Sequence, residues 1–241
     1  MFLVSALKSV AWFWPTLAGD YLQDRLREWL YKVETRPWYT RVDDLVILGG
    51  VPFKWIAKEL LEEEKVGAVV CVGEWHEANA WFAVSLADWR RRGIEVFWRP
   101  TRDFERVVTT RDLREAVLFM RDFERRRQPG QTVYVYAKAG RKRSASVVAA
   151  YLIEKHEWYG NVAMTHLPFI RPSVRFPSRY WTNLVNYGQF YRTPERRARS
   201  DRRFNVHDCV GADKAAKFEY FGLPSAERRA IDEETATTMN E

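Results

Sequence analysis

Cysteine is almost absent from this chain: Cys71 and Cys209 are the only two in 241 residues. Two thiols build no disulfide framework, so packing must hold the fold, and the usage fits a reducing compartment. Histidine is nearly as rare. The four, at 76, 156, 166 and 207, keep no metal-ligand spacing with the cysteines, so no metal and no cofactor is expected. Long apolar runs are missing as well. The best stretch, MFLVSALKSVAWFWPTLAG (1–19), carries Lys8 and Pro15 and barely reaches the roughly 20 residues a membrane-spanning helix needs. As a helix it groups Leu3, Leu7, Val10 and Trp14, with Ser5, Lys8 and Ser9 roughly opposite, the pattern of an amphipathic surface element. An apolar helix packed on the domain explains it equally well. It lacks the arginine richness of a transit peptide.

What is present suits a globular body. The chain is 46% hydrophobic and 15% aromatic, with eleven tryptophans, enough to fill a core. Its formal charge of +7 points to acidic partners: anionic lipid, phosphorylated ligands or nucleic acid.

Periodicity divides the chain into three parts: an amphipathic helical segment over 1–35, a domain over 36–192, and a tail over 193–241. In the first, Leu22, Leu26 and Leu30 mark a helix within 17–35. In the domain, strands are expected at 45–51, 67–73, 94–99 and 132–136. Helices are expected at 54–65, 77–92, 110–127, 144–157, 160–167 and 178–192. The helix over 110–127 should turn Leu113, Val117, Met120 and Phe123 inward. Strands alternating with helices predict an α/β fold, a mostly parallel sheet flanked by helices, with its site at the C-terminal ends of the strands. The tail opens on the basic run TPERRARSDRRF and ends polar, a composition expected to be disordered. It has no zinc spacing or RNA-recognition signature, which argues against a nucleic-acid role.

The chemistry concentrates in VYVYAKAGRKRSASVVAAYLI (133–153). A short β-forming run meets a small basic loop, and an alanine-rich helical pattern follows. Ala139 and Gly140 let the backbone curl tightly, and Ser144 is a candidate cap or early helix residue. A loop curling into a helix N-terminus aims N–H groups at one point, where the helix dipole favours an anion. Lys138, Arg141, Lys142 and Arg143 add positive charge. The natural guest is a phosphate or another oxyanion; a solvated basic turn is the alternative.

This loop resembles the phosphate loop of cysteine-dependent phosphatases, whose pattern is His-Cys, five residues, Arg, then Ser or Thr. Arg143 and Ser144 fall on the last two positions, and Lys138, Ala139, Gly140, Arg141 and Lys142 fill the loop. Together with WYTRVDDLVILGGVP (38–52) and GAVVCVGEWHE (67–77), it is similar to the mitochondrial dual-specificity phosphatases that dephosphorylate phosphatidylglycerophosphate during cardiolipin synthesis. The resemblance covers about 10–192. It implies a dual-specificity-phosphatase-like sheet, with Asp103 in FWRPTRDFERVV at the general-acid position and Glu74 and Glu77 in a partial acidic motif that contacts substrate. Asp112 is a rival acid that reads more simply as a first-turn helix residue. The resemblance also implies peripheral association with the mitochondrial inner membrane through the N-terminal helix; a cytoplasmic location is the alternative.

Two positions depart from the pattern. Tyr136 stands where the family has His, and Ala137 where it has the nucleophilic Cys. A methyl group has no lone pair and forms no phosphoenzyme. Loss of a nucleophile in other covalent hydrolases costs roughly a millionfold in rate, about 8 kcal/mol of barrier. Cys71 lies on the apolar run AVVCV and reads as a core thiol, Cys209 lies beyond the matched region, and no base is placed to activate Ser144 or Ser146. The expected function is a pseudophosphatase that binds a phosphorylated ligand, either a phospholipid headgroup or a phosphoprotein. An active phosphatase, with Cys at 137 in its native form or another nucleophile, and a non-catalytic scaffold are the alternatives.

Overall fold

The structure is a computed structural model that describes residues 37–103 and 107–198. The expected N-terminal helices and the tail beyond 198 lie outside the described residues.

Five strands form one sheet: β1 (Tyr39–Arg41), β2 (Val46–Gly49), β3 (Val66–Cys71), β4 (Glu95–Trp98) and β5 (Thr132–Tyr136). Their spatial order is β1-β2-β5-β3-β4. β1 runs antiparallel to β2, and the other three pairings are parallel. The α/β fold with a mostly parallel sheet is as the alternation of patterns predicts. β5 lies between β2 and β3, so both its faces are covered, and all five of its residues are buried. That is why TVYVY shows no polar alternation.

Seven helices flank the sheet among the described residues: α1 (Ala57–Glu62, entered through a 3-10 turn at Lys54–Ile56), α2 (Trp75–Ala78), α3 (Leu86–Arg91), α4 (Thr110–Arg126), α5 (Arg143–Lys155), α6 (Gly160–Ile170) and α7 (Ser178–Tyr191). One face of the sheet packs on α4 to α7. There Val133 and Val135 meet Leu113, Val117, Met120 and Phe123 of α4 and Val148 of α5. On the other face Tyr134 and Tyr136 pack with Leu60 and Trp89 from α1 and α3.

Two expectations need correction. The helix over 77–92 is two short helices. Ser85 starts α3 with a capping box, its hydroxyl accepting from Asp88 N at 3.0 Å while Asp88 accepts from Ser85 N at 3.1 Å. Between the two helices the chain turns at Ala80–Phe82, Ala83 N donating to Ala80 O at 2.8 Å, and Ala83 is drawn into a bridge with Phe53. Strand β1 was not expected; three residues carry too little periodicity to register.

The basic run at 193 opens on a helical turn that Arg197 anchors to the body. Arg197 donates to the carbonyls of Glu154, Tyr191 and Arg192 at 3.1–3.2 Å. Glu154 itself is 3% exposed and sits among cations. Both its oxygens accept from Arg114 Nη1 at 2.7 Å, one also from Arg121 at 3.2 Å, and the Tyr187 hydroxyl donates to it. This cluster ties α4, α5 and α7 together. Removing one partner of such a pair leaves the other charge buried alone. Glu154→Leu should therefore cost roughly 3–5 kcal/mol. A lower urea midpoint at unchanged slope is the expected result, and Arg114→Met in the same chain should recover most of the loss.

Candidate functional site

The loop at 137–142 leaves the central strand and is braced from three sides. Val72 N donates to Tyr136 O at 3.1 Å, Val51 N to Lys138 O at 3.1 Å, and Arg175 N to Arg141 O at 3.0 Å. Gly140 has φ +68, and a Cβ there would lie 2.6 Å from Gly49 O. Only glycine satisfies both the left-handed backbone and this close approach. The chain then turns into α5, with Lys142 as N-cap and Arg143 and Ser144 as the first helical residues. The first-turn N–H groups have no intrahelical carbonyl and face the loop end. Ser144 is therefore not the cap. It is fully buried, and its hydroxyl has no hydrogen-bond partner among the described residues.

Arg143 is 4% exposed and is gripped at three points. Its Nη1 donates to Glu77 Oε2 at 2.7 Å and to Thr101 O at 2.8 Å, and its Nη2 to Glu77 Oε1 at 2.8 Å. Burial works against this cation, but the charge and hydrogen bonds of Glu77, then Asp103 and Glu74, hold its pKa above the usual arginine value. Glu77 comes from α2. Only 1% of it is exposed, so it orients Arg143 and does not reach outward to a substrate. Glu74 N donates to Glu77 Oε2 at 2.8 Å, and Glu74 Oε1 accepts from Asp103 N at 3.0 Å. Glu77 thus supports Arg143 from behind, and Glu74, half-buried, holds the Asp103 amide.

Asp103 faces the loop. Its Oδ2 lies 2.7 Å from Lys138 Nζ and 3.6 Å from Arg143 Nη2. Burial pushes its carboxyl up, yet Arg143, then Lys138 and Lys142, hold it below the usual carboxylate range. It is ionised at neutral pH. Asp112 stays apart, 3.7 Å from Arg99 and in the first turn of α4, where its N–H donates to Thr109 Oγ1 at 3.1 Å.

The four cations of the loop divide in two. Lys138 and Arg143 are buried, and Arg141 and Lys142 are half-buried. Ala137 is 3% exposed and packs on the α4–α7 side of the sheet with Val135. Tyr136 points to the opposite face, packed with Cys71, its register partner on β3, and Trp89. Burial, then the neighbouring Cys71, raises its phenol well above the ordinary value. Burial likewise pushes the Cys71 thiol up to about 12, so it holds its proton.

Three participants escape sequence reading: the Thr101 carbonyl, the pairing of Glu77 with Arg143, and Tyr180 of α7. Tyr180 is 2% exposed; burial raises its pKa, Arg143 opposing and Asp103 adding. None leaves a local signal, because each depends on residues far apart in sequence.

The arrangement is a basic loop at the strand ends, a buried arginine clamped by a glutamate, and an aspartate facing both. The family model described as "Dual specificity phosphatase, catalytic domain" matches residues 54–190. The human protein "Phosphatidylglycerophosphatase and protein-tyrosine phosphatase 1" is 36% identical over 162 residues, which is 67% of this chain and 77% of that one. Its mouse counterpart is 34% identical over 67% of this chain and 80% of its own length. The crystal structure of PTPMT1 in complex with PI(5)P superposes with a TM-score of 0.60 at 31% identity, covering 68% of this chain and 99% of that one. With more than half of its length matched by that domain, and the sheet, loop and arginine all present, this chain belongs to the dual-specificity phosphatase family.

Proposed function

We propose that this chain is a pseudophosphatase: it binds a phosphate monoester at residues 137–144 and does not hydrolyse it. The observation that carries the reading is a preformed arginine clamp behind a loop that opens on Ala137, the position of the nucleophile in the family pattern. Phosphoryl transfer in this class needs a thiolate to accept the phosphoryl group. Binding needs only the amides, Lys138 and Arg143. A thiolate would repel a phosphate dianion, and a methyl group does not. Cys71 is no substitute, being buried, on another strand and protonated. Asp103, which the resemblance puts at the general-acid position, is held, against the push of burial, below the usual carboxylate range by Arg143, then Lys138.

A phospholipid headgroup is the proposed ligand. The relatives' name joins a phosphatidylglycerophosphatase with a protein-tyrosine phosphatase, and the PTPMT1 solved with PI(5)P supports the lipid of the two. Peripheral location at the mitochondrial inner membrane belongs to the same proposal. No helix among the described residues is long and apolar enough to cross a membrane.

Calorimetry with glycerol 3-phosphate, the headgroup's simplest monoester, tests the reading. The wild-type chain is expected to bind it, Arg143→Ala to lose binding, and neither to release inorganic phosphate. Equal affinity in the two proteins would sink the proposal, and release by the wild type would restore the active reading.

A second prediction concerns Asp103, whose carboxylate sits against the two cations an incoming phosphate would use. Asp103→Asn should raise phosphate affinity roughly tenfold by removing a like charge from the site. The gain should hold from about pH 5 to pH 8, because Asp103 stays ionised throughout that range in the wild type. Its lowered pKa also stabilises the wild type above the unfolded value of about 3.9, and this contribution fades as pH falls through the lower folded value. The variant should therefore lose less stability on acidification below about pH 4. Titration calorimetry and acid denaturation of both proteins measure the two effects.

A further inference from the structure

The end of the sheet that carries the loop also carries exposed aromatic surface. Trp55 is 62% exposed, Trp75 48%, Trp81 76% and Phe169 87%. Trp55 and Trp81 belong to one continuous series of rings. Trp55 stacks on Phe53 at 4.3 Å, Phe53 meets Phe82 at 5.6 Å, and Phe82 meets Trp81 edge-on at 5.7 Å. Backbone bonds hold the two contributing segments side by side: Lys54 N donates to Phe82 O at 3.0 Å and Val84 N to Pro52 O at 2.8 Å. The strip begins one residue after Val51–Pro52, and Val51 braces the loop at Lys138. It therefore borders the phosphate site directly. Trp75 opens α2, two residues before Glu77, and Phe169 lies in the last turn of α6, after which Arg175 N donates to Arg141 O of the loop at 3.0 Å.

Single exposed apolar residues are ordinary, but a contiguous strip ending in tryptophans on a protein surface marks an interaction site. Tryptophan combines a large apolar ring with one polar N–H and favours the boundary between water and lipid. The charges around it are complementary to lipid headgroups. Lys54, Arg175 and Arg179 are exposed, and Arg141 and Lys142 half-buried. The acids nearest the loop are turned inward, Glu77 onto Arg143, Asp103 onto Lys138, and Glu74 onto the Asp103 amide. Among the described residues the side chains flanking the strip are thus mainly cations, with Asp88 near Lys54, and an anionic leaflet attracts such cations.

We propose that the Trp55–Trp81 strip and its flanking cations form a docking rim that seats the loop end of the domain on an anionic lipid bilayer. In that pose a headgroup phosphate of the leaflet lies next to Arg143 with no need to leave the membrane. The inference rests on reading residues 137–144 as a phosphate site, and it adds the surface from which the phosphate is drawn.

Flotation of the full chain with vesicles tests it, using phosphatidylcholine alone and phosphatidylcholine mixed with phosphatidylglycerol. The chain is expected to partition onto the mixed vesicles and to come off as salt rises. Trp55→Ser and Trp81→Ser should each lower that partition about tenfold. Tyr159→Ser, which removes an exposed ring at the opposite end of the domain, should leave it unchanged. Binding of soluble glycerol 3-phosphate should be the same in Trp55→Ser as in the wild type. An undiminished partition in the Trp55→Ser/Trp81→Ser double variant overturns the proposal. So does an undiminished partition joined to a lower melting temperature without lipid, which would assign the strip to the segment that precedes Pro37. The two readings fail separately. Loss of the rim alone leaves phosphate binding intact, and absence of phosphate binding with a tryptophan-dependent partition removes the phosphate site and keeps the rim.

Discussion

A guanidinium almost sealed from water is the constraint around which the rest of the site is arranged. Arg143 starts α5, and its charge lies behind the loop. An unpaired cation there would cost several kcal/mol. Glu77 answers it with two parallel hydrogen bonds, the geometry in which arginine and carboxylate interact best. That requirement fixes α2, because Glu77 reaches Arg143 only if β3 ends at Cys71 and the chain turns at once into a helix. It also sets the approach of the 101–103 segment, whose Thr101 carbonyl takes another of the guanidinium's donors. Asp103 is then led to the loop by its own amide, held by Glu74. One buried charge thus joins three separate stretches of sequence.

This order separates two properties that catalysis normally joins. Chemistry at phosphorus requires an electron pair at residue 137. Recognition of phosphate requires a fixed field of positive charge and aligned N–H groups, which work in a site shielded from water. The clamp supplies the second independently of the first. The clamp therefore stands with no sulfur at 137, since no hydrogen bond among Arg143, Glu77, Thr101 and Asp103 passes through that side chain. Ala137 is packed against the α4–α7 core beside Val135, so the methyl group also serves the interior.

Local pattern carried most of the fold and only part of the site. The all-apolar run at β5 and the inward face of α4 could be read from period alone, because burial on both faces or on one stripe writes itself into neighbouring residues. The loop was legible from Gly140 and its basic neighbours. The single helix over 77–92 misled because apolar Trp81, Phe82, Ala83 and Val84 continue a helical composition. Their conformation is decided by pairing with residues 52–54, some thirty positions away. The pairing of Glu77 was illegible for a similar reason. A glutamate at a helix start reads as solvated or as reaching for a ligand, and only the fold reveals that Arg143 waits behind it. Charge pairing over long sequence separation has no period, so sequence can nominate its members and cannot join them.

The two departures from the family pattern differ in their reach. Successive strand residues point to opposite faces of a sheet. Tyr136 therefore turns to the side of Cys71 and Trp89, where its ring fills volume between β5, β3 and α3. Its phenol keeps its proton there and carries no charge toward the loop. Ala137 follows on the other side, where the chain leaves the sheet. The charges that surround the loop are thus set without either residue: Lys138 and Arg143 against Asp103, with Glu77 and Glu74 behind. A change at 136 acts on packing, and a change at 137 acts on chemistry. Between them the charges around the loop stay in place, which is the condition that the proposed binding role needs.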